Sequence, residues 1–146
     1  MLRKQVFPEA TLAQLDRFLY PLPEASTAPL AVVRWWERRR LRYNLIVGGA
    51  GLFSLGVVDA FAVLPPGPHG SGVPLGAVIV FGILANVCYT AGAVIDWGCK
   101  LAWRDDPPLV GPFLFRQGLM FSVGLALLPI AVAAVGWGFR LLHVLF

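Results

Sequence analysis

The sequence predicts an all-α integral membrane protein: three transmembrane helices preceded by a short amphipathic or interfacial N-terminal helical region. Three observations lead there. Of 146 residues, 58% are hydrophobic and 14% charged, whereas soluble domains carry about 25% charged residues to cover their surface. A cluster of arginines runs directly into a long apolar stretch at Arg34–Leu64. Two further apolar stretches follow, each set off by a proline-containing turn. Residues 1–42 read as a cytoplasmic and interfacial region, and residues 43–146 as a three-helix membrane domain with spans near 43–64, 74–97 and 118–139.

The N-terminal stretch stays in water. Leu12, Leu15 and Leu19 recur at helical spacing among Glu9, Gln14, Asp16 and Arg17, after a Pro8 suited to a helix start. This describes a short amphipathic helix able to lie on the bilayer or on another protein. PLPEASTAP then reads as a linker. The first twenty residues hold no continuous apolar run, so no cleaved signal is expected.

Helix should resume near Leu30, with Leu30, Val33, Trp36 and Leu41 as an apolar side and Glu37 placed to meet Arg34 or Arg40. Arg34, Arg38, Arg39, Arg40 and Arg42 form a collar too charged for lipid, and Trp35, Trp36 and Tyr43 are aromatic groups suited to the headgroup level. Anionic phospholipid is the expected counterpart of this charge, with an acidic protein surface as the alternative. The formal net charge is +4, and eight basic residues (Arg3, Lys4, Arg17 and the five collar arginines) precede residue 43. No base-reading motif surrounds them, so nucleic acid is not an expected partner.

Tyr43 to Leu64, twenty-two residues, rises about 33 Å as a helix, enough to cross the hydrocarbon core. Its small residues pair at spacing four, Ala50 with Ser54 and Gly56 with Ala60, and are expected to pack against the chain's other spans. Asp59 lies about 8 Å beyond the midpoint, too deep to assume free hydration. PPGPHGSG closes this span. The second carries Gly82, Asn86 and Thr90 at spacing four, placing an amide and a hydroxyl near mid-bilayer. Asn86 is expected to bond another helix, because an unpartnered amide in lipid is costly. Asp96, with Lys100 four residues on, reads as an ordinary end-of-helix carboxylate. Cys88 and Cys99 read as small buried residues rather than a disulfide. Asp105 and Asp106 suggest an exposed acidic turn, not a metal pair.

The last run, Phe113–Phe146, is one span with Arg116 and Arg140 snorkelling at opposite interfaces. Gly118, Ser122 and Ala126 make a further small face, and Pro129 should kink the helix and open a crevice beside Leu125. Two short passes split at Pro129 are the weaker alternative. Eleven Lys and Arg residues fall on the collar side and Arg140 alone on the other, which places the N-terminus in the cytoplasm and the C-terminus outside.

The run Trp36–Ile46 (WERRRLRYNLI), the segment Asn86–Gly92 (NVCYTAG) and Arg116–Ser122 (RQGLMFS) with Leu128-Pro129 resemble a group of small, uncharacterised bacterial inner-membrane proteins. The resemblance spans residues 34–130 and implies that location. It carries no activity or binding residue onto this chain.

No catalytic, cofactor-binding or metal-ligating residues are expected: the histidines are His69 and His143, and no nucleophile–base spacing, phosphate loop or metal signature occurs. Two functions remain open. One is an accessory or scaffold subunit that binds other membrane helices, or copies of itself, through small-residue faces. The other is an oligomeric small transporter or channel-like protein handling protons or ions, with Asp59, Asn86, Thr90 and Ser122 as its intramembrane polar site. Trp35, Trp36, Arg38, Arg39, Arg40 and Arg42 are the expected membrane-surface or partner contacts.

Overall fold

The computed structural model describes residues 9–23, 26–66, 73–103 and 108–145, and in the first helix the side chains from Thr11 onward apart from Leu12 and Leu15. Four helices follow one another: α1 (Glu9–Leu19), α2 (Pro29–Val63), α3 (Leu75–Ala102) and α4 (Gly111–Leu145). Among the described residues there is no strand. α2, α3 and α4 are each long and apolar enough to cross a membrane, so the chain is a multi-pass membrane protein. The acidic turn at Asp105 and Asp106, His69 and most of PPGPHGSG lie outside the described residues.

The arginine collar and the first span form one helix. Pro29 starts it, where a missing N–H costs nothing, and Leu64, followed by two prolines, ends it. At 35 residues, α2 and α4 each run about 52 Å, well beyond a hydrocarbon core of about 30 Å. Pro129 lies inside α4 without ending it, so the last apolar run makes a single pass.

Three inward-facing stripes hold the bundle together. In α2 the buried residues are Val32, Trp35, Trp36, Tyr43, Val47 and Ser54; in α3, Ala85, Tyr89, Asp96 and Lys100; in α4, Gly111, Phe115, Leu119, Ser122 and Ala126. The steps are mostly four, three or seven, the spacing of a helix face turned toward a neighbour. Their composition is unusual: hydroxyls, an ion pair and aromatic rings face in, while Leu30, Val33 and Leu41 are exposed with most of the other large aliphatic side chains. Of the apolar side expected near Leu30, only Trp36 turns into the bundle, and Leu30, Val33 and Leu41 face away from it. In lipid, apolar side chains gain little by leaving the surface, whereas polar groups gain partners by turning inward. Cys88 and Cys99 are free, and Cys88 is exposed rather than buried, about 100° around α3 from Tyr89.

α1 and the linker dock against the collar end of this bundle. Phe18 meets Phe115 edge to face at 5.3 Å, the Trp35 indole N–H donates to the Leu22 carbonyl at 2.8 Å, and the Arg116 guanidinium lies 5.3 Å from the Tyr20 ring.

Candidate functional site: a polar core at the collar end

Asp96 and Lys100, four apart, share one face of α3. They are not at an exposed helix end: each is 1% exposed. The Lys100 Nζ lies 3.3 Å from Asp96 Oδ2, and the Trp36 indole N–H from α2 donates to the same oxygen at 3.1 Å. The third wall is the first residue of α4. A Cβ on Gly111 would fall 2.8 Å from Oδ2 and 3.3 Å from Oδ1, so only glycine admits the carboxylate there. Oδ1 has no hydrogen-bond partner, but it sits at the N-terminus of α4, where unpaired backbone amides favour negative charge. One carboxylate thereby ties all three spans together.

A second tier lies deeper. The Tyr89 hydroxyl donates to the Trp36 carbonyl, and the two rings meet at 5.2 Å. Gly92 leaves room for Trp36, since a Cβ there would come within 2.9 Å of the indole. The Tyr43 hydroxyl donates to the Ala85 carbonyl at 3.2 Å and stands 2.7 Å from Ser122 Oγ. With its single proton committed to Ala85, the tyrosine accepts from the serine. Tyr43 from α2 thus reaches both α3 and α4.

The five collar arginines divide into two sets. Arg34, Arg38 and Arg42, spaced by four, are exposed on one face. Arg39 and Arg40 turn back onto the protein. Arg39 donates to the Trp35 carbonyl at 2.6 Å and lies 3.9 Å from the Trp35 ring. Arg40 pairs with Glu37 at 2.8 Å and donates to Thr90 Oγ1 at 3.2 Å. Trp35 and Trp36 are buried among the helices, where their indole N–H groups find protein acceptors at Leu22 and Asp96.

The expected intramembrane polar residues are only partly brought together. Ser122 is buried and bonded to Tyr43. Thr90 donates to the Asn86 carbonyl of its own helix at 2.9 Å and accepts from Arg40 of α2 at 3.2 Å. Asn86 donates to the Gly82 carbonyl of its own helix at 3.1 Å, not to another span. Asp59 is exposed near the opposite end. There Arg140 does not simply snorkel: its guanidinium donates to the Phe61 carbonyl at 2.6 Å, in the last turn of α2, where unpaired carbonyls favour a cation. Tyr43, Tyr89, Lys100, Gly92 and Gly111, which complete the polar core, carry no motif. The spacing of Asp96 and Lys100, and of Trp36 and Tyr43 one heptad apart, was the available signal.

Between α2, α3 and α4, below this core, lies a groove of about 420 Å³. Gly48, Gly51, Leu55, Ala77 and Phe81 are among its walls, and Leu125, Ala126 and Pro129 form its α4 side, where the crevice beside Leu125 was expected. Ser54, 2% exposed, has a hydroxyl with no hydrogen-bond partner at the groove's wall, and Asn44 and Asn86 stand at its collar end. The polar core directs its groups at one another, which fixes the register of three helices; the groove between them is open. No family model, curated protein or solved structure matches the chain.

Proposed function

We propose that the chain is an accessory or scaffold subunit of a membrane protein assembly, seated in a bacterial inner membrane with its N-terminus cytoplasmic and its C-terminus outside. The observation that carries this reading is where the glycines point. Gly49 and Gly56, one heptad apart on α2, are exposed, and a Cβ on either would meet nothing within 4 Å. Gly76, Gly98, Gly118 and Gly124 are exposed and open in the same way. The chain packs its own spans with aromatic rings and polar bonds, so these small residues serve little purpose inside it. On an outer face they let a second helix's backbone approach closely, the main source of helix association in lipid.

Arg34, Arg38 and Arg42 supply an outward row of charge for anionic headgroups, worth roughly 1 kcal/mol each near the surface. Together with the excess of Lys and Arg on the collar side, they support the orientation. Labelling of single cysteines from each side of the membrane, in a cysteine-depleted background, tests it. Access to a residue beside Arg38 only from outside would reverse the orientation.

The scaffold role is tested by mild extraction of native membranes followed by mass and composition analysis. A heteromeric complex lost in Gly49→Leu/Gly56→Leu, with the fold intact, is the expected result. A ring of identical chains around a hydrated centre would favour the transport alternative, and a lone chain would defeat both.

A further inference from the structure

We propose that the groove between α2, α3 and α4 is a binding site for one anionic phospholipid, with the phosphate at Arg40, an ester carbonyl at Asn44 and one acyl chain laid along Gly48, Gly51 and Leu55. This rests on the membrane placement proposed above and not on the scaffold role.

The argument begins with register. Arg40, Asn44, Gly48, Gly51 and Leu55 follow at steps of four, four, three and four, so they form one stripe on α2. Arg40 heads the stripe at the collar. Asn44 lies one turn, about 6 Å, deeper. The groove then runs from Asn44 to Leu55, about 16 Å along the helix. A phospholipid has the same order of parts along its axis: phosphate, then glycerol esters a few bonds deeper, then hydrocarbon.

Each polar group on this stripe has capacity left. Both polar contacts of Arg40, to Glu37 and Thr90, use Nη2, its guanidinium also lies 5.4 Å from the Tyr89 ring, and the buried group lacking a partner is Nε. Nη1 is left to donate to a phosphate oxygen, and the guanidinium, paired with a single carboxylate, keeps a donor edge for a second anion. Asn44 is half-buried at the groove, and among the described residues its side chain has no hydrogen-bond partner, although an amide in a dry setting needs one. Its N–H groups suit an ester carbonyl. Ser54 adds a second unpartnered polar group farther down the wall.

Size selects the occupant. A groove of about 420 Å³ takes a chain and not a helix, whose diameter with side chains is about 10–12 Å. The glycines make the space: a Cβ on Gly48 or Gly51 would meet nothing within 4 Å. Basic pockets between helices near the cytoplasmic surface are a known setting for anionic lipid headgroups.

The test uses the full chain in nanodiscs doped with phosphatidylglycerol bearing a photoactivatable group midway along one acyl chain. Adducts should concentrate on groove residues such as Leu55, Phe81 and Leu125, and not on Ile83 or Val94 of the outer α3 face. Gly51→Leu should cut groove labelling at least fivefold with helical content unchanged, whereas Gly124→Leu, on an open outer face, should not. An otherwise identical photoactivatable diacylglycerol should label several-fold less than phosphatidylglycerol. Arg40→Gln should abolish that difference, and Asn44→Leu should weaken both probes. Adducts spread evenly around the bundle, groove labelling that survives Gly51→Leu, or crosslinks to a second protein chain through the groove would overturn the site. Equal labelling by the two probes in the wild type would overturn the assignment of the phosphate to Arg40.

Discussion

Trp36 and Asp96, sixty residues apart in sequence, are joined by an indole N–H donated to carboxylate Oδ2 at 3.1 Å. The same oxygen holds the Lys100 ammonium at 3.3 Å. This contact sets the register of α2 on α3: Trp36 is level with Asp96, Arg40 with Thr90, and Tyr43 with Ala85. Trp36 and Arg40 of the collar segment therefore face the C-terminal half of α3, while Arg34, Arg38 and Arg42 stay exposed.

The buried pair should behave as a unit. Asp96→Leu alone strands the Lys100 ammonium among apolar groups and should destabilise the protein by about 3–5 kcal/mol. The double variant Asp96→Leu/Lys100→Met removes both charges and should be more stable than the single one. Thermal unfolding in nanodiscs of the wild type, both single variants and the double variant checks this. A double variant equal to the sum of the singles would show that the charges are not coupled.

Two glycines flank the Trp36–Asp96 contact, and both should resist a methyl group. Gly111→Ala places a Cβ 2.8 Å from the carboxylate, and Gly92→Ala places one 2.9 Å from the indole. Each should cost about 1–3 kcal/mol through forced displacement. Gly118→Ala, with nothing within 4 Å, should be neutral or slightly stabilising, since alanine is the better helix former. Midpoints of denaturant unfolding for the three variants should rank accordingly.

Tyr43→Phe deletes one hydroxyl that serves two helices, leaving the Ala85 carbonyl without this donor and Ser122 without its acceptor. Bonds of this kind within membranes average about 0.6 kcal/mol, so a loss near 1 kcal/mol is expected. Ser122→Ala breaks one of the two bonds and should cost less. The comparison is made by unfolding at matched lipid content, and a larger effect from Ser122→Ala would reassign the centre of this tier.

Asn86→Leu should change stability little, because the amide bonds within its own helix turn. Asp59→Leu should also leave the fold intact, given an exposed side chain outside the packed stripe. Ion or proton flux in vesicles, measured for both variants and for Asp59→Asn beside the wild type, then isolates any functional role. A pH-dependent flux abolished by Asp59→Asn would favour the transport alternative over the scaffold.

The sequence by itself determined the class of the molecule. A bilayer demands long apolar helices, and that requirement is written in run length, in the prolines that end the runs and in where Lys and Arg gather. The Glu37–Arg40 pair followed from spacing along one helix, and the crevice side at Leu125 from the proline at position 129. Tertiary structure alone decided which face of each helix turns inward. In a soluble protein the apolar stripe marks the core; here Leu30, Val33 and Leu41 stay outside while Tyr43, Tyr89, Asp96 and Lys100 go in. Lipid is as apolar as a leucine side chain, so hydrophobicity no longer separates inside from outside. Polar groups and steric room then make the choice, as when Gly111 opens a place for Asp96 beside a tryptophan sixty residues away. Such pairings join separate spans, and no periodicity within one helix encodes them.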